Sequence, residues 1–413
     1  MIEELRQDHT LHDAISVVRR GGDAGDSLAR IAWNVITEPG DGVAGALIEE
    51  FGAEVALGIA MGDVAAVSAT SVPATSVYEV SDVHAVLSST PGSASRALSE
   101  ARARWRPRAS LGAVRDAATA AAEVGARLLL PEDDEWPRAV DDLGLHAPVA
   151  LWVRGEVGLL ACDPRVAIVG ARASSGYGEM IAAEFAGDLA ASGAVVVSGG
   201  AYGIDGAAHR AALGVGGATI ALLAGGVDRA YPQGHQQLLR AIAASGAVVS
   251  EVPCGTAPTK WRFLSRNRII AALGDATVVV EAGWRSGSLN TAGHAAALGR
   301  PLGAVPGPVT SAASAGCHRL LREYDARCVT TAAEVRELWG DLGIAADPRT
   351  VGDPEQTRLL DSLSSRSRIP VAEIARRSGL SIERVSSLLG LLDLEGRVDR
   401  ADGGWRRTPP GRM

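Results

Sequence analysis

Aromatic residues make up only 4% of this sequence, and its four cysteines are scattered without a C-x-x-C pair. Cys162, Cys254, Cys317 and Cys328 are therefore expected to be buried or incidental thiols of a reducing cytoplasm, not disulfides or metal ligands. No stretch of roughly 18 uncharged apolar residues occurs, which excludes a membrane-spanning helix. The opening MIEELRQDHT carries acids and no apolar run, so no signal peptide is expected and a cytoplasmic location is. A G-x-S-x-G elbow, a Walker lysine loop and paired carboxylates at useful spacing are all absent, which favours binding over chemistry. No cofactor or metal is expected. Lysine is scarce relative to arginine, and the net charge of −8 excludes a protein that coats nucleic acid over its whole surface. Any polyanion site must be local.

One local lack points to such a site. Between Glu251 and Asp275 there is no carboxylate, while Lys260, Arg262, Arg266 and Arg268 crowd together with Trp261 and Phe263. Cations that hold phosphate oxygens beside rings that stack on bases suit a single-stranded nucleic acid. A solvated basic loop with a hydrophobic anchor is the competing reading.

At 413 residues the chain exceeds one ordinary core, and two to four domains are expected. Residues 1–64 read as short helices, with a glycine-rich turn at Glu38-Pro39-Gly40-Asp41-Gly42 of helix-hairpin-helix type. Asp41 in that turn would repel an anion, which favours plain helical packing. Residues 65–109 read as a linker and a connecting Arg/Ala helix, and 110–340 as the main domain. From Val166 to Val305 apolar strands recur (166–169, 194–197, 219–223, 247–249, 277–280, 302–305) with amphipathic helices between them. That pattern specifies a parallel α/β sheet covered on both faces, with every strand-to-helix loop at one edge.

Four loops share that edge. Gly170 to Gly178 carries Arg172 and Ser175 and opens a helix, a possible anion cradle, or else a turn in which Arg172 pairs with a local carboxylate. Ser198-Gly199-Gly200-Ala201-Tyr202-Gly203-Ile204-Asp205 has glycines that admit a ligand or another backbone, with Asp205 expected to cap the next helix and His209 expected to be packed. The third loop is the basic stretch itself. The fourth, Glu281 to Thr291, offers Ser286, Gly287, Ser288 and Thr291, with Ser286 or Ser288 as the expected cap.

Taken together these loops resemble the DNA-processing protein A family (DprA, also called Smf). Gly170–Gly178, Ser198–His209, Ala224–Pro232, Ser250–Pro253, Phe263–Ile270, Val280–Ala292 and Val305–Gly307 follow its pattern in order over roughly residues 125–310. The resemblance implies an extended Rossmann-like domain that binds single-stranded DNA, protects it and loads the RecA recombinase during natural transformation, without a known catalytic reaction. By motif position Arg172, Lys260, Arg266, Asn267 and Arg268 would contact phosphates and Phe263 would stack on a base. Ser175, Gly199, Gly200, Gly203, Ser286, Gly287, Ser288 and Thr291 would line the same site. Position 202 departs from the pattern: Tyr202 stands where some members carry a DNA-contacting lysine. Family members are typically dimers, which marks His318, Leu320 and Leu321 as expected partner contacts.

Residues 341–355 read as a linker and 356–413 as a winged helix, with a hairpin around Asp402-Gly403-Gly404. Arg384, Arg397, Arg400, Arg406 and Arg407 could serve duplex binding, while Glu383, Asp393 and Glu395 favour a packing or protein-contact module. Two other functions stay open. One is a nucleotide phosphoribohydrolase-like enzyme, although the helix after the fourth loop lacks the glutamate it would want. The other is a transcription factor led by the winged helix.

Overall fold

A computed structural model describes residues 2–62, 91–341, 354–394, 396–401 and 403–408. The linker expected over 65–109 lies outside them up to position 90, as do most of the 341–355 linker and Asp402 of the hairpin turn. The chain forms two compact units, Met1–Asp341 and Leu342–Met413.

In the first unit the sheet comprises β1 (Arg127–Leu129), β2 (Leu151–Gly155), β3 (Arg165–Val169), β4 (Val195–Ser198), β5 (Thr219–Leu223), β6 (Ala247–Ser250), β7 (Ala276–Val279), β8 (Leu302–Ala304) and β9 (Arg327–Cys328). Their order is β1-β2-β6-β5-β4-β3-β7-β8-β9. From β6 to β9 all pairings are parallel; β1 and β2 add antiparallel strands beyond β6. The expected parallel core is thus present, extended at one side by a hairpin-like pair. Buried Val, Ile and Ala on both faces explain it: Val166, Ile168, Val196 and Val278 face one layer, Ala167, Val169, Val197 and Val279 the other.

Helices α1 (Ile2–Gln7), α2 (His9–Val18), α3 (Ala24–Ile36), α4 (Gly42–Phe51), α5 (Ala53–Met61), α6 (Pro91–Trp105) and α7 (Leu111–Glu123) share one apolar core with β5 and β6 residues such as Ala221 and Val248. They are part of the sheet's compact unit. Asp41 caps α4, accepting from the amides of Val43 and Ala44 and from the Trp105 indole. A carboxylate thus occupies the amides a phosphate would need, and the turn is a packing device.

Between the strands run α8 (Gly176–Ala191), α9 (Ile204–Gly214), α10 (Gln236–Ser245), α11 (Lys260–Leu273) and α12 (Ser288–Ala297), followed by α13 (Ala315–Glu323) and α14 (Ala332–Arg336). The basic stretch is not a loop. Thr259 accepts from the Arg262 amide and caps α11, whose Ile269 to Leu273 are buried against the sheet. This helix carries the chain from β6 back across β5, β4 and β3 to β7. Strand order therefore reverses between β3 and β7, the position where doubly wound sheets open a crevice beyond their carboxyl ends.

His209 on α9 is fully buried, its Nδ1 on the Thr219 hydroxyl. Burial first, then the neighbouring His235, Arg266 and Arg210, push its pKa down to about 3. The unfolded chain takes up a proton near the ordinary value of 6.5 and the native state does not until about 3. Stability is therefore lost as pH falls through this window, at about 1.4 kcal/mol per pH unit for this one group. Urea midpoints measured across that range should fall less steeply in His209→Gln; an unchanged slope would remove His209 as the cause.

In the second unit α15 (Pro354–Ser362), α16 (Val371–Ser378) and α17 (Ile382–Leu394) precede a hairpin of β10 (Val398–Ala401) and β11 (Gly404–Arg407). Leu359, Ile374, Leu389 and Val398 form its core. Three helices and a wing are the architecture read from the sequence.

Candidate nucleic-acid interface

A cavity of about 830 Å³ opens at the switch point. Its floor is the loop after β3 (Gly170 to Ala173), one wall the first turns of α11, and the opposite wall Gly283 to Thr291 before and within α12. Helical geometry selects the wall: Lys260, Phe263, Asn267 and Ile270 recur at three or four residues and face the cavity together. Arg172, carried by the exposed loop, holds its guanidinium 4.6 Å from the Phe263 ring centroid. It makes no ion pair with a carboxylate among the described residues, so the competing reading of this arginine does not hold. Tyr231 lies against the same ring at 5.4 Å with a 51° tilt.

Arg266 is buried beneath this group. It donates to the carbonyls of Gly199 and Leu222 and to the Asn267 side-chain oxygen. Burial lowers its pKa to about 10, against which the carboxylate of Asp205 acts. Asp205 is the one acid among the described residues lining the cavity. It does not cap its helix: it lies inside the first turn of α9 and accepts from the Gly199 and Ala201 amides at 3.1 and 3.4 Å. Burial raises its pKa, with Arg266 acting the other way. Asp205 and Arg266 thus brace the glycine loop from two sides.

The glycines serve that bracing. At Gly203, with φ of +74°, a Cβ would lie 2.3 Å from the Ala171 carbonyl and 2.7 Å from that of Arg172. Only glycine lets the second loop press on the first and so fix the base of Arg172. A Cβ at Gly199 would meet the Arg266 guanidinium at 2.6 Å.

Several expected contacts lie elsewhere. Arg268 points to the other side of α11 and is buried in a doubly bonded ion pair with Glu251, both contacts at 2.6 Å, while donating to the His146 carbonyl. It is a structural residue, because eight positions from Lys260 the helix has turned it away from the cavity. Arg262 is likewise held by Glu38 at 2.9 Å through two of its nitrogens, Nε and Nη2. Ser175 caps α8 and gives its hydroxyl and amide to Glu281 at 2.8 Å. An internal carboxylate therefore fills the anion cradle expected there. Gly199, Gly200 and Gly203 support the cavity from behind, and Tyr202 sits outside it, its ring edge on His235 at 4.8 Å. Ser286, Gly287, Ser288 and Thr291 do line it, with the Ser286 hydroxyl accepting from the Ser288 amide. Leu320 is fully buried in the protomer's own core, so it is not available to a partner; Leu321 is half-buried against the same core and His318 binds the Gly307 carbonyl.

Among the lining residues not assigned to the site from the sequence are a ring and a cation, Tyr231 and Arg285. Tyr231 stood in a quoted motif, and a tyrosine in a chain this poor in rings was the available signal. A stronger signal also went unread: Lys260 is the sole lysine of the chain.

Residues 127–340 match the family described as DNA recombination-mediator protein A, and 344–404 match its winged helix domain. The chain belongs to the DNA-processing protein A family. It is 47% identical over 300 residues to a DNA processing protein DprA of Mycobacterium tuberculosis, covering 68% of this chain and 77% of that protein. Protein Smf of Escherichia coli K12 is 36% identical over 291 residues with the same coverage. The X-ray structure of DNA processing protein A from Streptococcus pneumoniae superposes with a TM-score of 0.57 at 30% identity, over 77% of this chain and 98% of that one.

In the family's C-terminal module, the arginines expected for duplex contact are largely engaged. Arg384 pairs with Glu355, Arg406 with Asp399, and Arg400 lies 5.5 Å over the Trp405 ring. These contacts all lie within the module itself. Among the described residues there is no helix long and apolar enough to cross a membrane and no cluster suited to a metal ion. All four cysteines are free.

Proposed function

We propose that this protein binds single-stranded DNA in the switch-point cavity, as a non-enzymatic, cytoplasmic DNA-processing factor. The observation that carries the reading is the grouping of Arg172, Lys260 and Arg266 around Phe263, beside a single carboxylate already engaged by loop amides. Arg172 and Lys260 are exposed and supply charge to phosphates; Phe263 and Tyr231 supply rings to bases; Ser286 and Ser288 supply hydroxyls. Family membership extends the proposal to protection of incoming strands, delivery to the RecA recombinase and homodimerisation. An enzyme acting on a nucleoside would need a carboxylate free to reach the sugar. Asp205 holds two amides and Glu281 holds Ser175, which disfavours that reading.

Arg172→Ala and Lys260→Ala are expected to weaken single-strand binding at every sequence, each lowering the salt slope by about 0.7. Fluorescence anisotropy over a salt series measures both, and unchanged affinity in the two variants would remove the site. Because Lys260 is the sole lysine, amine-directed acetylation of the intact protein reports on this one side chain and the chain's amino terminus. Bound oligonucleotide should protect Lys260. RecA delivery is read as faster RecA filament nucleation on a strand already covered by single-strand-binding protein, and light scattering reads the oligomeric state.

A further inference from the structure

The cavity does not end at Tyr231. On its far side a second hollow of about 570 Å³ is lined by Arg229, Ala230, Tyr231, Gln233, Gln236 and Pro258, so Tyr231 and Pro258 belong to both. That hollow shares Arg229, Ala230 and Gln236 with a third, of about 170 Å³, whose walls add Arg154 from β2 and Arg240 from α10. The hollows form a chain running from the switch point toward the β6–β2 side of the sheet. Tyr231, about half exposed at 47%, is the ring between the first and the second.

The charges along this chain are unevenly engaged. Arg240 and Arg154 have no carboxylate within ion-pair distance among the described residues. Arg229 has one, Asp228 at 3.6 Å, and Asp228 also accepts from the Gly255 amide at 3.0 Å. Asp228 is the one acid among the described residues lining the second or third hollow. Several other arginines of this unit are neutralised at close range: Arg262 by Glu38, Arg268 by Glu251 and Arg319 by Glu323. In a chain of net charge −8, three arginines lining one pair of linked hollows against a single carboxylate make a local positive path.

We infer that a bound single strand leaves the switch-point cavity over Tyr231 and continues along the path of Arg229, Arg240 and Arg154, which hold its phosphates. The inference rests on the proposed function and adds to it a direction and a length. Tyr231 stacks at the turn, and the three arginines act on backbone alone, since their walls offer no further ring among the described residues. Short strands fill the cavity and never reach Arg240; longer ones do.

The test compares oligothymidylates of about six and about twenty nucleotides on the full chain and on Arg229→Glu/Arg240→Glu. The double substitution should weaken binding of the long strand about tenfold or more and lower its salt slope by about 1.4, while leaving the short strand's affinity as it was. Retained short-strand binding also shows that the variant is folded. Equal affinities of variant and unaltered protein at both lengths would overturn the path, and so would an equal loss at both lengths, which marks a general field effect. If the unaltered protein bound neither oligonucleotide, the cavity reading itself would fall, and the path with it. A second variant, Arg154→Gln, should reproduce the length-dependent loss in weaker form, and its absence there as well as in the double variant would count against the path.

Discussion

Arg268→Ala is expected to destabilise the protein by about 3–5 kcal/mol, because it strands the buried Glu251 carboxylate without its partner. Both side chains are less than a tenth exposed, at 7% and 8%. Glu251 is shared by two parallel contacts, and Arg268 also satisfies the His146 carbonyl through two nitrogens, tying α11 to the segment before β2. Glu251→Ala should be as damaging for the converse reason, a buried guanidinium left unpaired. Replacing both by apolar residues of similar size should recover most of the loss, since removing a whole buried pair is often near neutral. Urea denaturation of the three variants decides it. A single-variant loss below about 1 kcal/mol would show that the pair is not the buried unit described here. The prediction also separates Arg268 from its neighbour along the chain: Lys260→Ala should leave stability unchanged and alter only binding.

Phe263→Ala should cost the largest share of single-strand affinity of any one residue, between about 5-fold and 150-fold, from a stacking contribution of about 1–3 kcal/mol per base. The ring does two things at once. It offers a face to a base, and its other contacts, Arg172 at 4.6 Å and Tyr231 at 5.4 Å, hold a cation and a second ring at the cavity mouth. Removing it therefore loosens Arg172 as well, and the double variant with Arg172→Ala should lose less than the two single losses combined. Phe263→Trp should retain most of the affinity. Anisotropy titrations at one fixed salt concentration measure these differences. A Phe263→Ala protein that binds as before would show that bases do not stack here.

Much of this was legible along the chain. The strands from Val166 to Val305 could be read because residues buried on both faces leave near-continuous apolar runs. The glycine-rich loops could be read because strand-to-helix turns at one edge of a parallel sheet need small residues where backbones meet. Phe263, Lys260 and Arg172 were marked by charge and aromaticity in a sequence poor in rings. The helix at Lys260 to Leu273 was not legible as a helix. Its first half is charged and aromatic all round, with no apolar stripe to give the period away. Without that period, Lys260 and Arg268 looked equivalent.

What the amino-acid order determined by itself is the kind of architecture and the inventory of chemistry: a covered parallel sheet, its loops, its few rings and its one lysine. Those follow from local rules of burial and turn formation that act within a few residues. Which cations remain available was decided only by tertiary structure. Arg262 is silenced by Glu38, 224 positions away, and Arg268 by Glu251 across the crossover, whereas Arg172 meets Phe263 and pairs with no carboxylate among the described residues. Coulomb interaction depends on distance in space and on burial, and neither is written in sequence separation.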